Sequence, residues 1–288
     1  MFTEEPSQQL TPLSEDRADP PATIPGEQVQ LGSSPEHPAW WIPWIDVAKA
    51  VVVWVTSVLL LLFVPVIVAL PYMVYKFMAF GVPSPEELQA DKMLIFLSVL
   101  GIVPTHLLTF VIIWMIVSEG GRRPFWSTLG FEWPQNTSRA IGTLVSLSLA
   151  LVLLALAWLV TTLYGGNKTQ LDLLIESSMQ ARFATAFVAV ATAPLIEELI
   201  YRGVLYPAIE KAAGMGVAIA VVSLLFAGVH VFQYYNNIAV IIVITLLSLT
   251  LTVARAVTGK VLPSFIIHLV FNGIQSLILV IAPFIEKA

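Results

Sequence analysis

Cysteine is absent from the 288 residues, which excludes disulfides, thiolate nucleophiles and cysteine-ligated zinc together. Charge is scarce as well. Only 11% of the side chains are charged, against roughly 25% in ordinary soluble domains. With 57% hydrophobic residues and a mean hydropathy of +0.85, the chain is not a soluble globular enzyme. The 14 lysines and arginines form no basic stripe of the kind that neutralises phosphates, so nucleic acid is not an expected partner. Any catalysis must use oxygen and nitrogen groups.

What charge there is lies unevenly. The net charge is -5, yet residues 1–38 hold seven acids, seven prolines and a single base, Arg17. That composition predicts a disordered acidic tail. It lacks the basic start and short apolar core of a secretory signal, so the first long apolar segment is expected to remain as an anchor. Trp40, Trp41 and Trp44 follow as an interfacial aromatic belt.

Crossing a bilayer core of about 30 Å takes roughly 20 helical residues, and seven segments qualify as spans. Two stretches of 26 residues without a formal charge, between Lys49 and Lys76 and between Lys92 and Glu119, give the first two. The third runs over about 140–164, after a loop with Arg122, Arg123, Phe125, Trp126 and Trp133 expected to lie along the interface. The fourth, about 183–212, is interrupted by Glu197, Glu198 and Arg202. Segments near 215–232, 238–254 and 261–285 complete an all-α, polytopic membrane helix bundle. The expected organisation is a tail over 1–38, two spans with an interfacial loop over 39–139, and a catalytic membrane core over 140–288. Alternating sides puts nine lysines and arginines on the amino-terminal face against five on the other, which favours a cytoplasmic amino terminus in a multi-pass membrane protein.

A charged side chain at the centre of a span costs about 2.5–3.5 kcal/mol on insertion scales, so Glu197, Glu198 and Arg202 need compensation. Glu198 and Arg202 are four apart on one helix face, the spacing of a structural ion pair. Glu197 is five from Arg202, about 140° round the helix, and is left free for other work. Two more segments supply imidazoles: His230 sits four after Phe226, and His268 four before Asn272. Measured along antiparallel helices at 1.5 Å per residue, Glu197 and His230 both lie about 22–26 Å from the loop at Gly214; His268 and Asn272 lie about 10 and 17 Å into theirs. His106, alone in the second span, is read as a helix-to-helix hydrogen-bonding residue.

A carboxylate among apolar side chains is suited to take a proton from water and return it to a leaving amine. Glu197 fits that general base, and His230 can hold and help deprotonate the same water. His268 and the Asn272 amide are donors of the kind that stabilise an oxyanion, worth about 2.7–4 kcal/mol per donor in the best-studied case. The set describes peptide-bond hydrolysis. Rival protease chemistries lack their residues: there is no H-E-x-x-H, no G-x-S-x-G, and Asp46, Asp91 and Asp172 all flank spans rather than pair within them.

In these residues the chain resembles the CPBP family, the CaaX-protease and bacteriocin-processing group whose eukaryotic members are the type II prenyl-protein endopeptidases. The family's E-E-x-x-x-R reads as Glu197, Glu198 and Arg202; its F-x-x-x-H as Phe226 and His230; its H-x-x-x-N as His268 and Asn272. The resemblance covers about 140–284. It implies that Glu197 and His230 activate water, that His268 and Asn272 form the oxyanion site, and that Glu198, Arg202 and Phe226 support the helices. It also implies a membrane-anchored protein or peptide as substrate. No cofactor is required on this reading; the alternative is Zn2+ held by Glu197, His230 and His268. Two other functions use the same residues: a non-proteolytic scaffold or immunity protein with interhelical hydrogen bonds, and a proton-coupled transporter.

Overall fold

The computed structural model describes residues 42–165 and 168–285, all within the unit that starts at Trp40. The acidic tail, Trp40 and Trp41 lie outside the described residues; Trp44 is half exposed at the start of the first helix. Every regular element among the described residues is helical.

The first span is α1, Ile42–Phe80, a 39-residue helix carrying Pro65 and Pro71. Its exposed face, including Leu62, Phe63 and Ile67, is apolar, the surface that lipid rather than water accommodates. After the short α2, Pro85–Ala90, the second span consists of α3, Lys92–Leu100, and α4, Ile102–Val117, joined at Gly101. A methyl group on Gly101 would stand 2.6 Å from the Pro65 backbone, so glycine is what lets α1 lie against this junction. At the α3 end, Asp91 caps the helix through the amides of Met93 and Leu94 and also receives bonds from Tyr72 and Lys76 of α1.

The segment expected along the interface behaves differently. Arg122, Arg123 and Trp126 are exposed, but Phe125 and Leu129 of α5, Phe125–Leu129, are buried. Phe125 meets Phe110 of α4, and the Gly130 carbonyl accepts the Val261 amide. The loop therefore turns into the bundle, because its aromatic residues find a protein surface to cover.

The third span, α6, is Arg139–Tyr164, capped by Ser138. A helix α7, Gln170–Ser177, follows with a Thr169/Asp172 capping box. The fourth span runs Met179–Ala213; it starts before residue 183 because the Ser178 hydroxyl caps it at the Ala181 amide. It is not uniform. In order come α8, Met179–Phe187; a π-helical turn, Val188–Thr192; α9, Ala193–Glu198; a second π segment, Leu199–Leu205; and α10, Tyr206–Ala213. Then α11, Met215–Tyr234, α12, Ile238–Thr258, and α13, Leu262–Ile285, complete the bundle.

Six helices among the described residues are long and apolar enough to cross a membrane, and α11 is a shorter apolar one. The protein is thus an all-α, multi-pass membrane bundle of the predicted kind. Its main core gathers around the second π segment, with Leu199, Leu205 and Tyr206 against Val222 and Phe226 of α11 and Val53 of α1. A smaller one joins Ala150 of α6 to Leu251 of α12 and Ile267 and Phe271 of α13.

Candidate active site

The polar residues of the fourth span divide by exposure as well as by spacing. Glu198 and Arg202 are fully buried, whereas the Glu197 side chain keeps 23% of its surface. The expected pair is present: Arg202 Nη1 donates to Glu198 Oε1 at 2.9 Å. Arg202 Nη2 reaches α12, donating to the Ser248 carbonyl and hydroxyl at 3.0 and 3.1 Å and to Thr252 Oγ1 at 3.2 Å. The Arg202 carbonyl in turn accepts Arg255 Nε at 3.0 Å. These bonds offset most of the hydration a buried guanidinium forfeits, leaving Nε as its one buried donor without a partner among the described residues.

Over Leu199–Leu205 the backbone bonds run in the wider i→i+5 pattern. The 3.6-residue wheel behind the sequence argument does not hold there, yet the Glu198–Arg202 pair survives. Gly203, next to Arg202, has Leu129 of α5 where a side chain would be: a methyl group would lie 2.8 Å from Leu129 Cδ2.

Glu198 also makes a contact that spacing could not reveal. His268 Nδ1 on α13 lies 3.0 Å from Glu198 Oε1. A carboxylate that is already receiving the Arg202 proton is an acceptor, so Nδ1 carries the hydrogen. His268 Nε2 then faces the other carboxylate, 3.6 Å from Glu197 Oε2. That gap exceeds direct hydrogen-bond length. His268 is 2% exposed and is clasped between the adjacent glutamates.

His230 is fixed by its own helix. Its Nδ1 lies 2.8 Å from the Phe226 carbonyl, which can only accept, so Nδ1 donates and Nε2 of the neutral ring offers a lone pair. Phe226 is the hub: its ring stacks on His230 at 4.8 Å, meets His268 edge-on at 5.9 Å and Tyr201 at 5.1 Å, and lies under the Arg202 guanidinium. One phenyl ring thereby brings both imidazoles to the same wall.

Asn272 owes its placement to a proline. In the first π turn the Ala193 amide bonds to the Val188 carbonyl, one step off the α register in which it would reach Ala189. The π partner of Ala189 would be residue 194, which is proline and has no N–H. The Ala189 carbonyl is thus released, and Asn272 Nδ2 donates to it at 3.1 Å. The amide's second hydrogen remains for another acceptor.

His106 plays the helix-to-helix part expected of it, with Nδ1 2.8 Å from Thr192 Oγ1, and it interacts electrostatically with Glu197. The sequence reading missed Tyr201, Trp54, Ser248, Thr252 and Arg255. Tyr201 sits four residues after Glu197, a signal that was available; Trp54 donates to Tyr201 Oη at 3.0 Å from 147 residues away, where no spacing rule reaches. Among the described residues no group of three or more His, Asp and Glu side chains stands close enough to hold a metal ion.

The arrangement supplies a part-exposed carboxylate, an imidazole with a free lone pair, a second imidazole touching two carboxylates, and an anchored amide. No curated protein and no solved structure matches the chain. A family match does exist, and it contains every residue of the three motifs: residues 179–274 of this membrane protein match the family described as Type II CAAX prenyl endopeptidase Rce1-like.

Proposed function

We propose that the protein is an intramembrane endopeptidase in which Glu197 activates water. The observation that carries this reading is the position of His268, with Nε2 3.6 Å from Glu197 and Nδ1 bonded to Glu198. Glu197 takes a proton from a water held by the His230 lone pair, and the hydroxide attacks the scissile carbonyl. The Asn272 amide hydrogen not used on Ala189 donates to the oxyanion. Protonated Glu197 hands its proton across to His268 Nε2, which donates first to the oxyanion and then to the departing amine as the C–N bond breaks. Water is consumed and an acid and an amine are released, so the proton balance closes. Glu198 and Arg202 hold His268 and the helix in register.

The substrate class we infer is a membrane-held protein or peptide. The family match names CAAX prenyl endopeptidases, and a lipid-bearing segment could partition from the bilayer to a site inside the bundle. Cleavage of a membrane-anchored peptide, with and without a C-terminal prenyl group, by purified protein in vesicles tests both parts. The prenylated peptide should be cut, and Glu197→Ala should abolish the cut. Equal cutting by Glu197→Ala would remove this mechanism, and pH-driven uptake without cleavage would replace it by transport.

A further inference from the structure

Helix α1 lies outside the matched segment, yet it sends one polar group to the site. Trp54 Nε1 donates to Tyr201 Oη at 3.0 Å. An indole N–H only donates, so the phenol oxygen accepts here and its own hydrogen is left to another partner. Trp54 is the one hydrogen-bond partner of that hydroxyl among the described residues. Tyr201 is 4% exposed, an environment in which an unused hydroxyl hydrogen is costly. Its ring is fixed edge-on to Phe226 at 5.1 Å, beside both imidazoles.

Among the described residues Glu197, four residues earlier, and the Arg202 guanidinium both act electrostatically on this hydroxyl. Side chains on a helix lean back over the preceding turn, which carries the Tyr201 ring toward residue 197. Accepting the indole hydrogen also polarises the phenol and strengthens it as a donor. From this geometry we infer that Tyr201 is a positioning residue whose hydroxyl donates toward the Glu197 carboxylate, directly or through one water, and that Trp54 orients it. The inference rests on Glu197 being the base. It makes α1 part of the working site rather than an anchor alone. Other groups interact with Glu197 too: His268 from α13, His106 from α4 and Tyr234 from α11.

The test is the pH profile of kcat/KM for the full chain in detergent, cutting a membrane-anchored peptide, with Tyr201→Phe, Trp54→Phe and the double variant. Losing a donor to the carboxylate disfavours its ionised form. Tyr201→Phe should therefore lower kcat by about 10- to 100-fold with KM little changed and move the acidic limb to higher pH. Trp54→Phe should act in the same direction more weakly, and the double variant should be no worse than Tyr201→Phe. A wild-type rate and acidic limb in Tyr201→Phe, or full addition of the two losses, would overturn the inference. Glu197→Gln separates the two levels: if it cleaves like wild type, the base assignment itself fails; if it is inert while Tyr201→Phe is unaffected, only the role of Tyr201 fails.

Discussion

Asn272 is tied to the Ala189 carbonyl, 3.1 Å from Nδ2 to oxygen, across the gap that Pro194 leaves in the backbone ladder. A residue 83 positions away in sequence is thereby aimed by the absence of one N–H. Pro194→Ala restores a donor to residue 194 and lets the Ala189 carbonyl be satisfied within its own helix. The expected result is an intact bundle with lower kcat, by about 3- to 30-fold, as Asn272 loses its anchor. Circular dichroism and single-turnover cleavage measure the two halves of that prediction.

The neighbouring glutamates should respond in opposite ways to truncation. Glu198 is fully buried and holds both Arg202 and His268, so Glu198→Ala leaves a buried guanidinium without its counter-charge, a loss of about 3–5 kcal/mol in comparable buried pairs. Glu197 is partly exposed, and its ion-pair contact among the described residues is the 3.6 Å approach of His268 Nε2. Its removal should abolish cleavage while leaving thermal unfolding in detergent close to wild type. The same melting temperature for both alanine variants would contradict this division.

Asp91 gives a pH dependence away from the site. Burial pushes its carboxyl up, but the Lys76 ammonium, the Leu94 amide and the Tyr72 hydroxyl outweigh that and hold it below its ordinary value of 3.8. The folded state thus favours the carboxylate, and the resulting stability is present above the unfolded value and fades as pH falls through the lower, folded one. Asp91→Asn should therefore lower the unfolding temperature at neutral pH, and the difference from wild type should shrink as the pH drops below about 4. A difference constant across that range would show that the charge of Asp91 contributes nothing.

Orientation follows from the charges that remain in loops. Of the nine cations assigned by sequence to the amino-terminal face, Arg202 and Arg255 are buried against the site, which leaves seven against five. The inside-amino-terminus orientation we propose puts Lys211 in the cytoplasm and Lys168 outside, both exposed. Because the chain has no cysteine, single Lys211→Cys and Lys168→Cys variants report topology without background. An impermeant thiol reagent added to intact cells should label position 168 and spare 211; the reverse labelling inverts the protein.

Much of this was legible in the residues themselves, for identifiable reasons. Hydropathy has no register, so it located the spans while missing the two π segments of Met179–Ala213, where one extra residue per turn changes no composition. The Glu198–Arg202 bond was readable because i,i+4 neighbours share a face. The Glu198–His268 bond joins residues 70 apart, and only packing of α13 against α9 makes it. Phe125 was placed at the interface on its aromatic character, since nothing local announces that Gly203 opens a slot for Leu129 at the other end of α5. Pro194 is plain in the sequence; that Asn272 would take the carbonyl it frees required the fold.

Hydrolysis by a Glu197-activated water is tested most directly by product mass spectrometry over a time course. Wild type and Glu197→Gln are compared on a membrane-anchored peptide, each with and without chelator. Wild type should release two fragments whose summed mass exceeds the substrate by one water, at a rate the chelator leaves unchanged, and Glu197→Gln should release none. Equal fragment release by the glutamine variant, or cleavage that stops when metal is removed, would contradict the mechanism.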